Sequence, residues 1–195
     1  MSSKNPGTLA LAAATTVLAS PPAVAHTGTG LAGGFVSGFI HPLTGFDHLL
    51  AMVSVGLWGA FLGRPLIYAL PVVFPVVMVF GAALGMFGFR LPVVEIGVAL
   101  SVLVLGACIA MSLRAPVWMA STIVAAFAIF HGYAHGKELP SAADPVGYSA
   151  GFVLATGMLH VVGIGLGFLG VSLTRGLGGA IGLAGVWFLY RATVS

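Results

Sequence analysis

From Leu43 onward the sequence falls into six apolar runs of close to twenty residues, parted by short breaks that hold most of its charge. A helix needs about 20 mainly apolar residues to cross a bilayer. The runs are Leu43–Leu62, Leu66–Phe87, Val93–Leu113, Pro116–Gly136 and Val146–Gly170, with a sixth ending near Tyr190. Between them stand "GRP" (63–65), "GFRLP" (88–92), "RAP" (114–116), "KELPSAADP" (137–145) and "LTRG" (173–176), all too short to hold a soluble domain. The pattern predicts an all-α membrane protein, a six-transmembrane helical bundle. Composition agrees: 6% of residues are charged and 59% hydrophobic, whereas soluble domains are near a quarter charged.

The first 25 residues have the features of a cleavable signal peptide. Lys4 supplies the basic start, "TLALAAATTVLA" the short apolar stretch, and "AVA" at Ala23–Ala25 the cleavage site. Processing there gives a mature domain of residues 26–195, a single transmembrane domain that begins outside the cytoplasm with His26. The Gly-rich stretch from Gly28 to Ile40 is too short to span and reads as a half-helix or re-entrant segment. With the N-terminus outside, the cytoplasmic turns carry Arg64, Arg114 and Arg175 and no acid, and the outer loops carry Arg90, Lys137, Glu138 and Asp144. This is a weak bias of the sign expected for membrane proteins. It makes the expected location the bacterial inner membrane, with the mature N-terminus periplasmic.

A formal charge of +3, scattered along the chain, gives no footprint for nucleic acid. Cys108, the one cysteine, excludes an internal disulfide and a thiolate metal cluster. No nucleotide-binding motif such as G-x-x-x-x-G-K-[ST] occurs.

Against this background two polar clusters stand out. "FIHPLTGFDHLLAM" (39–52) opens the first run with His41, Asp47 and His48. "FHGYAHGKE" (130–138) closes the fourth with His131, His135 and Glu138. Ionised side chains in a membrane cost roughly 2.5–3.5 kcal/mol on insertion scales, so they face the bundle interior and mark pathways. His131 and His135 are four apart and share a helix face, and Glu138 stays on it. Pro42 is expected to break the helix, with Gly45 giving room for His41 to fold back over Asp47 and His48. Under six crossings both clusters lie at the same outer end. Imidazole with carboxylate suits Ni, Co, Zn and Cu, and the spacing is not the H-E-x-x-H of zinc proteases. Glu95 lands at the same end and His160 deeper, so the polar groups line up as the mouth of an ion path. Met52, Met111 and Met158 read as packing residues. His26 would offer an α-amine and an imidazole to an arriving metal.

These residues resemble the HupE/UreJ family of hydrogenase and urease accessory proteins, which are nickel permeases. "HPLTGFDHLLAMVSVGLWGA" (41–60) matches the family's H-x5-D-H signature, and "FHGYAHGKE" matches F-H-G-x-A-H-G-x-E. The resemblance implies a permease that moves Ni²⁺, sometimes Co²⁺, inward for hydrogenase or urease maturation. It implies His41, Asp47 and His48 as one metal motif and His131, His135 and Glu138 as the other, with Glu95 a further acid. No enzymatic activity and no permanently bound cofactor are expected. The partners are the transported divalent ion and the lipid bilayer, and the sequence leaves the oligomeric state open. Two rival readings remain at this level: an intramembrane His/Asp zinc metallohydrolase, and a metal sensor or chaperone. In the permease reading, protons competing for the histidines empty the site below about pH 6.5.

Overall fold

The computed structural model describes residues 34–138 and 144–194. The predicted signal peptide and His26 lie outside the described residues. Among the described residues seven helices follow one another: α1 Gly34–Thr44, α2 Phe46–Leu62, α3 Leu66–Met86, α4 Val94–Ala110, α5 Val117–Glu138, α6 Pro145–Gly167 and α7 Val171–Val194. Among the described residues there is no strand.

The six longer helices occupy the six predicted runs, but two of them, α2 and α4, have only 17 residues each. α3, α5, α6 and α7 meet both length and apolarity, and α1 with α2 does so as a bent pair. That gives four candidate crossings, or five with the pair, where six were expected. α4 falls short because both its ends are cut. Val93 and Ser112 adopt left-handed conformations (φ 53° and 54°), so the run expected over Val93–Leu113 keeps only 17 helical residues.

The first run is also corrected. Its helix does not restart after Pro42, because α1 continues through Pro42 to Thr44. The chain breaks at Gly45, which is extended (φ −87°, ψ 106°), and α1 and α2 meet at 82°. The break is well finished. The Thr44 hydroxyl donates to the His41 carbonyl at 2.9 Å, and the Gly45 carbonyl accepts from the Leu49 amide at 2.8 Å. Pro42 lacks the amide that would donate to the Gly38 carbonyl, yet the helix runs on through it, whereas the extended Gly45 ends the helical path outright. The Gly-rich half-helix is found as α1, beginning at Gly34 among the described residues.

α2 is the central helix. Every residue from Ala51 to Gly59 is buried, so this stretch is enclosed on all faces. α3 pairs chiefly with α5, α4 with α7, and α6 with both α1 and α2. Glycine makes these pairings close. A Cβ on Gly132 or Gly136 would strike the backbone carbonyls of Met78 and Ala82 on α3. On the α2–α6 side, Gly56 lies against the carbonyl of His160 and Gly163 against that of Val53. Small residues bring membrane helices into backbone contact, where dispersion rather than the hydrophobic effect holds them.

The predicted turns sort to two ends. At one end the Arg114 guanidinium lies 5.7 Å from the Phe61 ring. There too the Trp58 indole donates to the Leu113 carbonyl at 3.2 Å and Arg175 donates to the Ala110 carbonyl at 3.1 Å. At the other end the Tyr133 hydroxyl donates to the Phe89 carbonyl at 2.7 Å. This ties the α3–α4 turn to the last part of α5.

Filling the α3–α5 contact tests this packing. Gly132→Leu should lower stability in detergent by about 1–3 kcal/mol or more, read as a fall in thermal midpoint. Gly157→Leu, where a Cβ meets nothing within 4 Å, should leave the midpoint unchanged.

Candidate metal centre

The 82° bend swings α1 back across the start of α2, and this brings the two histidine motifs together. The His48 ring centroid lies 4.6 Å from that of His135 and 4.7 Å from that of His131. His41 lies 4.7 Å from His135 and 6.3 Å from His48. The contacts are edge-to-face, the arrangement aromatic rings prefer. His131 and His135 are buried almost completely. Phe152 packs on His135 at 4.2 Å, and Tyr148 lies 6.2 Å from His41, so α6 walls this side.

Oxygen partners decide which nitrogen of three rings bears the proton. Asp47, in the first turn of α2, accepts from the His48 amide and from His48 Nδ1, both at 2.8 Å. A carboxylate only accepts, so Nδ1 carries hydrogen and Nε2 is the lone-pair nitrogen. The first helical turn also suits a negative charge. Ser101 Oγ donates to the Val98 carbonyl at 2.6 Å, so towards His131 Nε2, 2.8 Å away, it acts as acceptor. His131 therefore bears its proton on Nε2 and its lone pair on Nδ1. The Met52 carbonyl holds His160 Nδ1 at 2.8 Å, which makes Nε2 the lone-pair nitrogen there. An oxygen behind each imidazole is the arrangement that orients metal-ligating histidines.

The buried lone pairs are uncompensated. His131 Nδ1, both nitrogens of His135 and His160 Nε2 are buried with no hydrogen-bond partner. Each such group costs about 1–3 kcal/mol, and hydrocarbon offers no water to offset it. A cation coordinated by the lone pair of each ring removes that part of the penalty, with the N–H of His135 still unmet, so the donor chemistry fits a borderline divalent ion. The rings nonetheless pack on one another rather than around a point. Among the described residues no three His, Cys, Asp or Glu side chains form a ready metal cage. An arriving ion has to turn these rings to be chelated.

Of the residues singled out from sequence, His41, Asp47, His48, His131 and His135 are gathered here. Glu138 is the last residue of α5, and its side chain lies outside the described residues. Glu95 is not in the cluster: it is exposed in the first turn of α4. His160 is set apart by Phe74, whose ring is 5.5 Å from His131 and 5.4 Å from His160. The methionines also divide: Met111 and Met158 are exposed and Met52 is buried. Ser101 and Phe74 had no sequence signal. A serine and a phenylalanine in apolar runs look like any others until the fold sets them beside a histidine.

Together these features define a multi-pass helical membrane protein with a file of imidazoles leading from one end of the bundle into its core. The chain belongs to the HupE/UreJ family, whose model, described as HupE / UreJ protein, matches residues 13–188. It is 44% identical over 174 residues to Protein HupE of Rhizobium leguminosarum bv. viciae, spanning 86% of this chain and 91% of that protein. No solved structure matches it.

The tautomers are open to measurement. Nitrogen-15 spectra of histidine-labelled protein should show His131 protonated on Nε2 and His160 on Nδ1. Ser101→Ala should erase the His131 preference and leave His160 as it was. One shared tautomer for both residues would contradict the assigned hydrogen bonds.

Proposed function

We propose that this protein is an inner-membrane permease that carries a divalent transition-metal ion into the cytoplasm. Ni²⁺ is the first expectation and Co²⁺ the second, for hydrogenase or urease maturation. The observation that carries this reading is the set of buried, partnerless imidazole nitrogens of His131 and His135 beside His48 and its carboxylate. A structural role needs no such nitrogens, and a cation does. His41, Asp47, His48, His131, His135 and Glu138 form the outer binding site in this proposal. Asp47 and Glu138 balance the 2+ charge, and the neutral imidazoles supply lone pairs. His26, at the processed N-terminus, delivers metal to it.

The histidine end faces the periplasm and the end bearing Arg64, Arg114 and Arg175 faces the cytoplasm, in accord with the positive-inside rule. Six helices cross, α2 to α7, with α1 lying back on them as a re-entrant arm. α4, at 17 residues, is roughly 26 Å long and crosses at the short end of the usual range. A negative interior favours entry by about 2.3 kcal/mol per charge per 100 mV, doubled for a divalent ion. Membrane potential is therefore sufficient as a driving force, with proton exchange at the histidines the alternative.

Two experiments test the proposal. Protein reconstituted into vesicles should take up Ni²⁺, with lipid consumption marking a hydrolase and metal binding without uptake a sensor. His48→Ala and His135→Ala should each remove most uptake, and the double variant should lose little more, because the rings share one site. Singles that each keep half, with losses that add, would mean two independent sites. For orientation, Ala142→Cys in a Cys108→Ala background should react with an impermeant thiol reagent on intact spheroplasts. Reaction only after lysis would invert the orientation.

A further inference from the structure

His160 is wholly buried, yet it belongs to neither histidine motif. It stands fifteen residues into α6, roughly 22 Å along the helix from Pro145. Its ring is held on one side only. Nδ1 donates to the Met52 carbonyl at 2.8 Å, and Nε2 is buried with no partner. The backbone beneath it is pinned, with Gly56 of α2 against the His160 carbonyl and Gly163 against that of Val53. Moving the ring out to lipid would break both contacts. Beside it the Thr156 hydroxyl donates to the Met52 sulfur at 3.4 Å, so this part of the α2–α6 seam holds soft and polar groups in an otherwise apolar core. Phe74 touches His160 on one side and His131 on the other.

A fixed tautomer, an immobile backbone and a bare lone pair together describe a ligand awaiting a cation. We propose that His160 Nε2 is a second, inner cation station, reached from His131 past Phe74, which takes the same borderline divalent ion on its way through the bundle. The inference rests on the permease reading above and adds a step to it. The ion leaves Nδ1 of His131, passes Phe74 and is caught by Nε2 of His160, so the apolar centre offers it a protein ligand partway through. Neutral imidazoles bind without a net counter-charge at this depth, which keeps the hold weak enough for release.

His160→Asn separates the two nitrogens. The asparagine amide can still donate to the Met52 carbonyl, as Nδ1 does, but offers nothing at the Nε2 position. With Ni²⁺ as probe, the variant should bind one ion fewer than wild type in detergent, keep the outer site, and lose about tenfold or more of vesicle uptake. Unchanged uptake and stoichiometry overturn the inner station. So does loss of all binding, which would make His160 a support for the outer rings. A second measurement needs no variant: saturating Zn²⁺, a diamagnetic stand-in, should displace the nitrogen-15 resonance of His160 Nε2 in the wild-type protein. An unmoved resonance overturns the station even if the variant misfolds. If wild-type vesicles take up no Ni²⁺, the permease reading fails, and the stoichiometry and the resonance still decide whether His160 binds.

Discussion

Two glycines, each directly after a histidine, hold the arrangement together. Gly132 and Gly136 lie against the carbonyls of Met78 and Ala82, so α5 meets α3 backbone to backbone. Successive residues on a helix are about 100° apart. Once the glycine face is pressed on α3, the rotation of α5 about its own axis is settled. His131 and His135 must then point towards α2, and a side chain at either glycine would both separate the helices and turn the histidines away. The same device recurs where Gly56 and Gly163 close α2 on α6, which holds the His160 backbone in place. Packing by small residues is thus the cause of the polar centre as well as of the bundle.

Inside that bundle polarity is rationed by hydrogen bonding. No water reaches most of these groups, so each ring takes its tautomer from the nearest oxygen: Asp47 for His48, Ser101 for His131, the Met52 carbonyl for His160. The result is a file of rings, His41, His135, His48, His131, Phe74 and His160, in which the lone pairs of His131 and His160 are left over. Hydroxyls of Ser54 and Thr122 bond carbonyls of their own helices, the ordinary fate of such groups in apolar helices. The lone-pair nitrogen of an imidazole cannot do this, because it needs a donor and the amides inside a helix are already bonded to carbonyls. The unmet nitrogens of His131, His135 and His160 therefore set these rings apart more clearly than their burial does.

Gly45 shows how little of this geometry is local. Pro42 is the stronger helix breaker on paper. The helix passes through Pro42 and turns at Gly45 because α1 has its own partner in α6. Gly38 lies against the Tyr148 carbonyl and Gly151 against that of Phe35. Tertiary contact outweighed the proline, and the 82° bend that resulted is what lays His41 beside His135.

The sequence by itself determined the helical class, the positions of the six long helices, and the two motifs with their chemistry. Apolar length, turn residues and i, i+4 spacing are local properties that need no partner. The meeting of the motifs was foreseen from counting crossings, yet the contacts that realise it were not. Which glycine bends the chain, why α4 is short, why Glu95 stays outside while Ser101 and Phe74 come in, and which nitrogen of His131 and of His160 is bare were decided by tertiary structure. These depend on helix rotation and on the nearest oxygen of another helix, and a hydrogen bond between residues 101 and 131 leaves no periodicity in the chain that makes it.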